Sequence, residues 1–447
     1  MSITLKHYKD NFTLAIPVIT ANIGQAVVQI VDNVMVGRLG ATPLAAASFA
    51  GIIIMNLFVF GMGIALSLTP LAGHAYASGK HRRVAALFQN SISLNTIIGI
   101  LLTLILFAII PLLYKLGQPT EVVDMAIPFY KLLALSTLPF FLFLAFKQFM
   151  EGIGNTKVAM IITIAANIIN IVLNYIFIYG KFGAPALGIV GAGVATLTSR
   201  ILMPIMFFGY IVAKNPYKRF LAFFKTQHFT IKKHRQLLEV GLPISGQMVI
   251  EIFALSVTTI MMGWLSTEAL AANQVVLSMV HFTFMVATGI SGASTILVSH
   301  QYGQQNFKEM RRYAFAGIHM AAAFMIFAAL AFVFFGSSIA SIFTTDPTVI
   351  ALAAQMFLVV ALFEISDGVQ VTALGALRGI TDVKRPMVYA FISYLAINIP
   401  AAYLFGFILK MGTQGIWVGF LCGLTTAAIL FVNRFIKSSS RMIEQKA

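Results

Sequence analysis

Twelve long apolar stretches follow one another through this chain, and they leave it few ways to fold. They run near 14–37, 44–73, 89–113, 126–149, 158–180, 187–213, 240–264, 269–299, 314–335, 349–376, 385–408 and 413–436. A helix needs roughly 20 apolar residues to cross a hydrocarbon core about 30 Å thick. Lipid offers no partners to backbone amides, so each stretch is expected to be a helix that satisfies its own. Composition agrees, with 59% hydrophobic and only 10% charged residues, where a soluble domain carries about 25% charged. The expected fold is an all-α integral membrane protein of twelve transmembrane helices.

The formal net charge of +16 would suggest a nucleic-acid partner in a soluble protein. Its placement argues otherwise. If the N-terminus, every second loop and the C-terminus share one side, 23 of the 30 Lys and Arg lie there. The opposite loops hold Arg38, Lys115, Lys181 and Lys410, while Lys131, Lys147 and Arg200 fall within or at the ends of spans. This is the positive-inside pattern. It predicts a multi-pass protein with both termini cytoplasmic and no nucleic-acid partner. The basic segment from Lys214 to Arg235 is expected to lie against anionic headgroups of the bilayer. The single cysteine, Cys422, excludes an intramolecular disulfide and a CxxC metal site. HExxH, phosphate-loop and nucleophile-elbow motifs are missing from the sequence. Neither an enzyme nor a cofactor is expected, and any transport would draw on an ion gradient.

An internal duplication divides the chain. Residues Met35 to Ala46 match Met261 to Ala272 at an offset of 226, as do Gly63 and Gly289, His74 and His300, and Tyr76 and Tyr302. The offset becomes 227 for Gly152 and Gly379, Lys157 and Lys384, Met160 and Met387, and Gly188 and Gly415. Each half holds six spans, so the halves share one orientation and a pseudo-two-fold axis along the membrane normal is expected. The expected division is an N-lobe over 1–213, a basic cytoplasmic linker over 214–236 and a C-lobe over 237–447.

Three carboxylates, Asp32, Glu251 and Asp367, stand inside apolar spans. A charge at the centre of a membrane helix costs ~2.5–3.5 kcal/mol on insertion scales. Such groups face a cavity or a partner and mark ion or substrate pathways. At about 1.5 Å per residue, Glu251 and Asp367 both lie roughly 15–17 Å deep, so one pocket in the second half can hold both. Two carboxylates close together and out of water favour a held proton or a bridging Na⁺, with Glu251 and Asp367 as the metal ligands. Glu364, one turn before Asp367 on the same face, is a candidate third member. Gln247, one turn before Glu251, and Gln25, the counterpart of Glu251 in the first half, are further candidates. In the first half Asp32, Asn170, Asn174 and Thr196 reach comparable depth. One carboxylate, two amide carbonyls and a hydroxyl suit Na⁺, or a proton-linked hydrogen-bond network. Blander uses exist: Asp32 can snorkel to the outer headgroups, and Asn170 and Asn174 can be interhelical glue. Arg200 and Lys131 are the only candidate deep bases.

With these residues in place the chain resembles the multidrug and toxic compound extrusion (MATE) family, in its NorM-like bacterial branch. The likeness rests on the two six-span repeats and on Val31-Asp32-Asn33-Val34-Met35-Val36-Gly37. It rests also on Glu251 in span seven, Ser366-Asp367-Gly368-Val369-Gln370 followed by Leu377-Arg378-Gly379, and the span-five run from Asn170 to Gly180. The resemblance implies a secondary antiporter of the bacterial inner membrane that exports cationic, often aromatic drug-like compounds in exchange for Na⁺ or H⁺. It implies a V-shaped pair of lobes around a cavity that opens alternately to either side. Glu251 and Asp367 match the coupling residues of the C-lobe, and Asp32, Asn170, Asn174 and Thr196 match the N-lobe pocket. Glu364 lies outside the family's pattern. A single copy is expected to suffice. The alternative is a flippase for a lipid-linked sugar, which calls for a basic cavity. A membrane-embedded enzyme is the third reading, and no nucleophile or metal set accompanies the acids to support it.

Overall fold

The computed structural model describes residues 2–224 and 229–446, and among them it contains helices and connecting turns but no strand. Residues 225–228 of the expected linker lie outside the described residues. Among the described residues, twelve helices are long and apolar enough to cross a membrane. In chain order they are α1 (Leu5–Gly37), α2 (Ala41–Ala77), α3 (His81–Ala108), α4 (Thr120–Gly152), α5 (Thr156–Tyr179) and α6 (Ile189–Ala213). The second half holds α7 (Ile231–Leu265), α8 (Thr267–Gly303), α9 (Phe307–Phe343), α10 (Pro347–Gly379), α11 (Lys384–Ile408) and α12 (Gly412–Glu444).

Local chemistry sets the breaks between them. Asn155 caps α5 by accepting from the Val158 amide, Ser266 caps α8 through Ala269, and Asp346 caps α10 through Thr348 and Val349. Such caps satisfy amides that a helix start leaves free. Gly180 ends α5 in the left-handed conformation at φ 67°, which only glycine adopts without strain. Helix α11 is irregular: Phe391–Asn398 and Leu404–Ile408 form wide π-type turns, bonded from residue i to i+5.

The chain forms two compact units, and their borders differ from the expected 213/237 division. One unit comprises Thr20–Ser245 (the N-unit), the other Met1–Ile19 with Gly246–Ala447 (the C-unit). Both borders fall inside continuous helices, two residues after Pro17 in α1 and two after Pro243 in α7. Within the C-unit, the start of α1 is tied to α9. His7 Nε2 meets Glu309 Oε2 at 2.7 Å, Tyr313 donates its hydroxyl to Asp10 at 2.6 Å, and Asn11 donates to the Tyr313 carbonyl at 3.2 Å. Gly289 of α8 makes room for the Ile19 backbone. Within the N-unit, the start of α7 is tied to α2. Ser245 donates to the Phe60 carbonyl at 2.6 Å, and Gly63 makes room for the Ser245 backbone. Gly63 and Gly289, like Ile19 and Ser245, stand 226 apart, so the exchange belongs to the repeat itself. The expected linker is also more ordered than a loop. Asn215–Ala222 is a short helix that buries Phe220 against Phe149, and α7 begins at Ile231.

Small residues set how closely the helices approach. Gly152 lies against the Thr69 carbonyl and Gly379 against that of Thr295, both at 3.0 Å from a built Cβ. A Cβ on Gly191 would lie 2.5 Å from the Phe177 carbonyl carbon, and one on Gly415 would lie 2.5 Å from that of Phe405. These matching contacts equate Gly415 with Gly191 and correct the pairing with Gly188 expected from the sequence. The connection between α11 and α12 is shorter than that between α5 and α6, which shifts the register there. Backbone cannot swing aside as a flexible side chain can. Gly191→Ala and Gly415→Ala are therefore each expected to destabilise by about 1–3 kcal/mol, the usual cost of overpacking. Gly209→Ala meets nothing within 4 Å and serves as the neutral control. Thermal melting of the purified variants in detergent checks this, and equal melting of all three would refute it.

Candidate functional site

The N-unit gathers its polar residues from α1, α5 and α6. Asn170 and Asn174 are four apart in α5 and so share a face. The Asn174 amide donates to Asp32 Oδ1 at 2.5 Å and to Asn170 Oδ1 at 3.2 Å. Asn170 in turn donates to Ser199 Oγ at 3.3 Å, and Ser199 donates to the Thr196 carbonyl at 3.0 Å. Thr196 thus joins through its main chain. Asp32 is half-buried and bonded to α5, so it does not simply snorkel outward. Asn174 is fully buried, and its Oδ1 has no hydrogen-bond partner. Tyr179 donates its hydroxyl to the Met35 carbonyl at 2.9 Å and fastens α5 to α1.

Arg200 stands beside this network. It donates to Ser136 Oγ at 2.8 Å, and its guanidinium lies 4.9 Å from the ring centre of Phe140 and 5.2 Å from that of Phe58. Cation–π contact of this kind holds a cation away from bulk water. The Arg200 charge also acts on Asp32. Lys131, the other expected deep base, is exposed instead. Gln25 is half-buried in α1 and takes no part in these bonds.

The C-unit assembles its acids on α7 and α10. Asp367 is 3% exposed and accepts from Gln370 at 3.1 Å. Glu251 accepts from Gln247 at 3.1 Å, and Arg378 donates to Gln247 Oε1 at 2.6 Å. A chain of three side chains therefore links the last turn of α10 to the acid of α7. Glu251 and Asp367 lie within each other's electrostatic reach, and the hydroxyl of Tyr394 in α11 faces both. Glu364 is fully buried and faces Thr283 of α8, with neither carboxyl oxygen in a closed hydrogen bond. Among the described residues, no three of His, Cys, Asp and Glu converge to hold a metal ion. Glu364 also lies within electrostatic reach of Asp367. Glu251 and Asp367 with their neutral oxygen neighbours form a donor set that fits Na⁺ or a proton.

Several members of these networks were not assigned to a site from the sequence, although Gln370 and Arg378 stand in the motifs that carry the family resemblance. Ser199 lies one turn beyond Thr196, a spacing that was available to find it. Arg378 counts as a loop charge by position, yet it reaches back to Gln247. Tyr394 and Gln370 are common in cores and carry no signal by themselves.

Comparison with known proteins places these features in context. The MatE family matches residues 17–176 and 243–404, one stretch in each half. The chain is 32% identical over 442 residues to the probable multidrug resistance protein NorM of Bacillus subtilis (strain 168), spanning 98% of this chain and 97% of that protein. It is 34% identical to the probable NorM of Rhodopseudomonas palustris, over 95% of this chain and 91% of that one. Its fold matches the outward-facing conformation of a multidrug resistance MATE family transporter with a TM-score of 0.90 at 20% identity, covering 98% and 97% of the two chains.

Proposed function

Because this chain belongs to the MatE family of transporters, we propose that it is a secondary multidrug antiporter that exports cationic aromatic compounds in exchange for Na⁺ or H⁺. The observation that carries this reading is the placing of membrane-embedded acids among neutral oxygen donors. Asp32 is held by Asn174, and Glu251 and Asp367 lie within mutual reach beside Gln247 and Gln370. Each acid is a charge that a cation or proton can neutralise inside the membrane. Neutralisation favours one arrangement of the helices and a cationic drug favours another, and each ligand shifts the balance only by its differential affinity. Exposed aromatic side chains such as Phe334, Phe327 and Trp264 face the bilayer. The protein resides in the bacterial inner membrane with both termini in the cytoplasm, and one chain carries the whole machinery.

Both embedded arginines are already engaged, Arg200 by Ser136 and two phenylalanines and Arg378 by Gln247. That leaves little to bind the pyrophosphate of a lipid-linked sugar. The test is ethidium efflux from proteoliposomes under an imposed Na⁺ gradient and, separately, an imposed pH gradient. Efflux is expected under one of them. Driving by Na⁺ alone makes the acids metal ligands, and driving by pH alone makes them proton carriers. Absence of efflux under both refutes the antiporter and turns the search to lipid-linked substrates.

A further inference from the structure

The fifth helix of each half carries an asparagine at the same structural place, and only the C-unit leaves it without a partner. The register follows from two contacts. Gly191 abuts the Phe177 carbonyl as Gly415 abuts that of Phe405, which pairs Phe177 with Phe405, 228 apart. At the starts of the same helices, Met160 and Met387 are 227 apart. Helix α11 therefore holds one residue more than α5 between these points. The wide turn Phe391–Asn398 absorbs it, since a π-type turn takes an extra residue without breaking the helix. Past this insertion the counterpart of Asn170 is Asn398, and by the Gly191–Gly415 pairing the counterpart of Ser199 is Gly423.

A contact in each unit supports that register. Asn170 donates to Ser199, and a Cβ on Gly423 would lie 2.7 Å from the Asn398 Cβ. In the C-unit the helices close in and the hydroxyl is gone. Asn398 is fully buried, and neither its Oδ1 nor its Nδ2 has a hydrogen-bond partner. Ser393, stacked below it by the i to i+5 spacing, is buried with an unpartnered hydroxyl. Tyr394 lies one turn before Asn398, and its hydroxyl faces Glu251 and Asp367 without closing a hydrogen bond. Unsatisfied buried polar groups are costly, and π-type turns gather at functional sites.

We propose that Tyr394 and Asn398 supply neutral oxygens to the coupling-cation site of the C-unit, and that the wide turn in α11 aims them there. The ligand is a monovalent cation, either Na⁺ bound by these hard oxygens or a proton carried on water between them and the acids. This rests on the antiporter reading above.

The chain has two tryptophans, so Trp264→Phe leaves Trp417 as the sole reporter. Trp417 packs edge-on against Phe363 at 5.4 Å, and Phe363 lies one turn before Asp367. Trp417 emission of the purified full-length protein is titrated with NaCl at fixed pH, and with acid in Na⁺-free buffer. Efflux is measured alongside. Tyr394→Phe and Asn398→Leu are each expected to weaken the active cation about tenfold, or to shift the pH midpoint by about one unit, as loss of a bond to a charged group does. Asn398→Ser should recover part of the loss. Unchanged midpoints in Tyr394→Phe and Asn398→Leu, with wild-type efflux intact, would overturn the proposal and leave the antiporter standing. Failure of wild-type efflux under both gradients would instead remove the antiporter, and a shifted emission midpoint would still support the cation site.

Discussion

Asp367→Asn is expected to abolish gradient-driven drug export while leaving the protein folded. Asn has nearly the shape of Asp, and Gln370 can still bond the side-chain oxygen that it reaches at 3.1 Å. Packing around a residue only 3% exposed is therefore preserved. What disappears is the charge that a cation or proton neutralises. Without it the driving ion has little differential affinity for the two arrangements, and coupling of the usual size, up to on the order of a hundredfold, vanishes. Efflux in proteoliposomes gives the loss, and a melting curve within experimental error of wild type shows that folding is not the cause. Wild-type drug resistance in cells carrying this variant would sink the assignment of Asp367.

Arg200→Leu has the second largest expected effect, on stability rather than coupling alone. The variant loses the bond to Ser136 at 2.8 Å and the two aromatic contacts. It also deprives half-buried Asp32 of a nearby opposite charge. A charged hydrogen bond contributes about 1.5–3 kcal/mol, and each cation–π contact adds about 0.5–1 kcal/mol. A total of roughly 2.5–5 kcal/mol follows. Part of this penalty falls on the uncompensated carboxylate, so Asp32→Asn in the same chain should return some of it. A double-mutant cycle by thermal melting reads that coupling directly. Strict additivity would show that Arg200 stabilises through Ser136 and the rings alone.

How far the sequence reveals this molecule differs from feature to feature. The twelve helices are legible because each crossing demands a run of apolar residues. Their ends are not, because a helix that leaves the lipid keeps its own hydrogen-bond ladder in water. Helix α7 thus starts at Ile231, well before its apolar run near 240. Asp32, Asn170 and Asn174 were legible as a group, since equal depth and four-residue spacing both point to one face. Arg378 was not, because a long side chain can carry its charge a turn or more from its own backbone. Asn398 was hidden for another reason. A residue gained inside α11 and a shorter turn after it shift the register in opposite directions, so a single offset of 227 passes over both. The borders of the two units were invisible because apolar counts say where helices are, and nothing about which helix each end packs on.

That exchange of helix ends has a consequence for how the molecule is made. Proteins of several domains usually fold them one after another as the ribosome delivers the chain. Here the first 19 residues belong to a unit whose other members begin at Gly246. The start of α1 emerges long before its partners, α8 and α9, and finds them only after the six helices from α2 to α7 have been inserted. The N-unit, for its part, is not complete until the start of α7 has been synthesised. Insertion order and assembly order are thereby uncoupled, and α1, made well before α8 and α9, reaches its final place only after them.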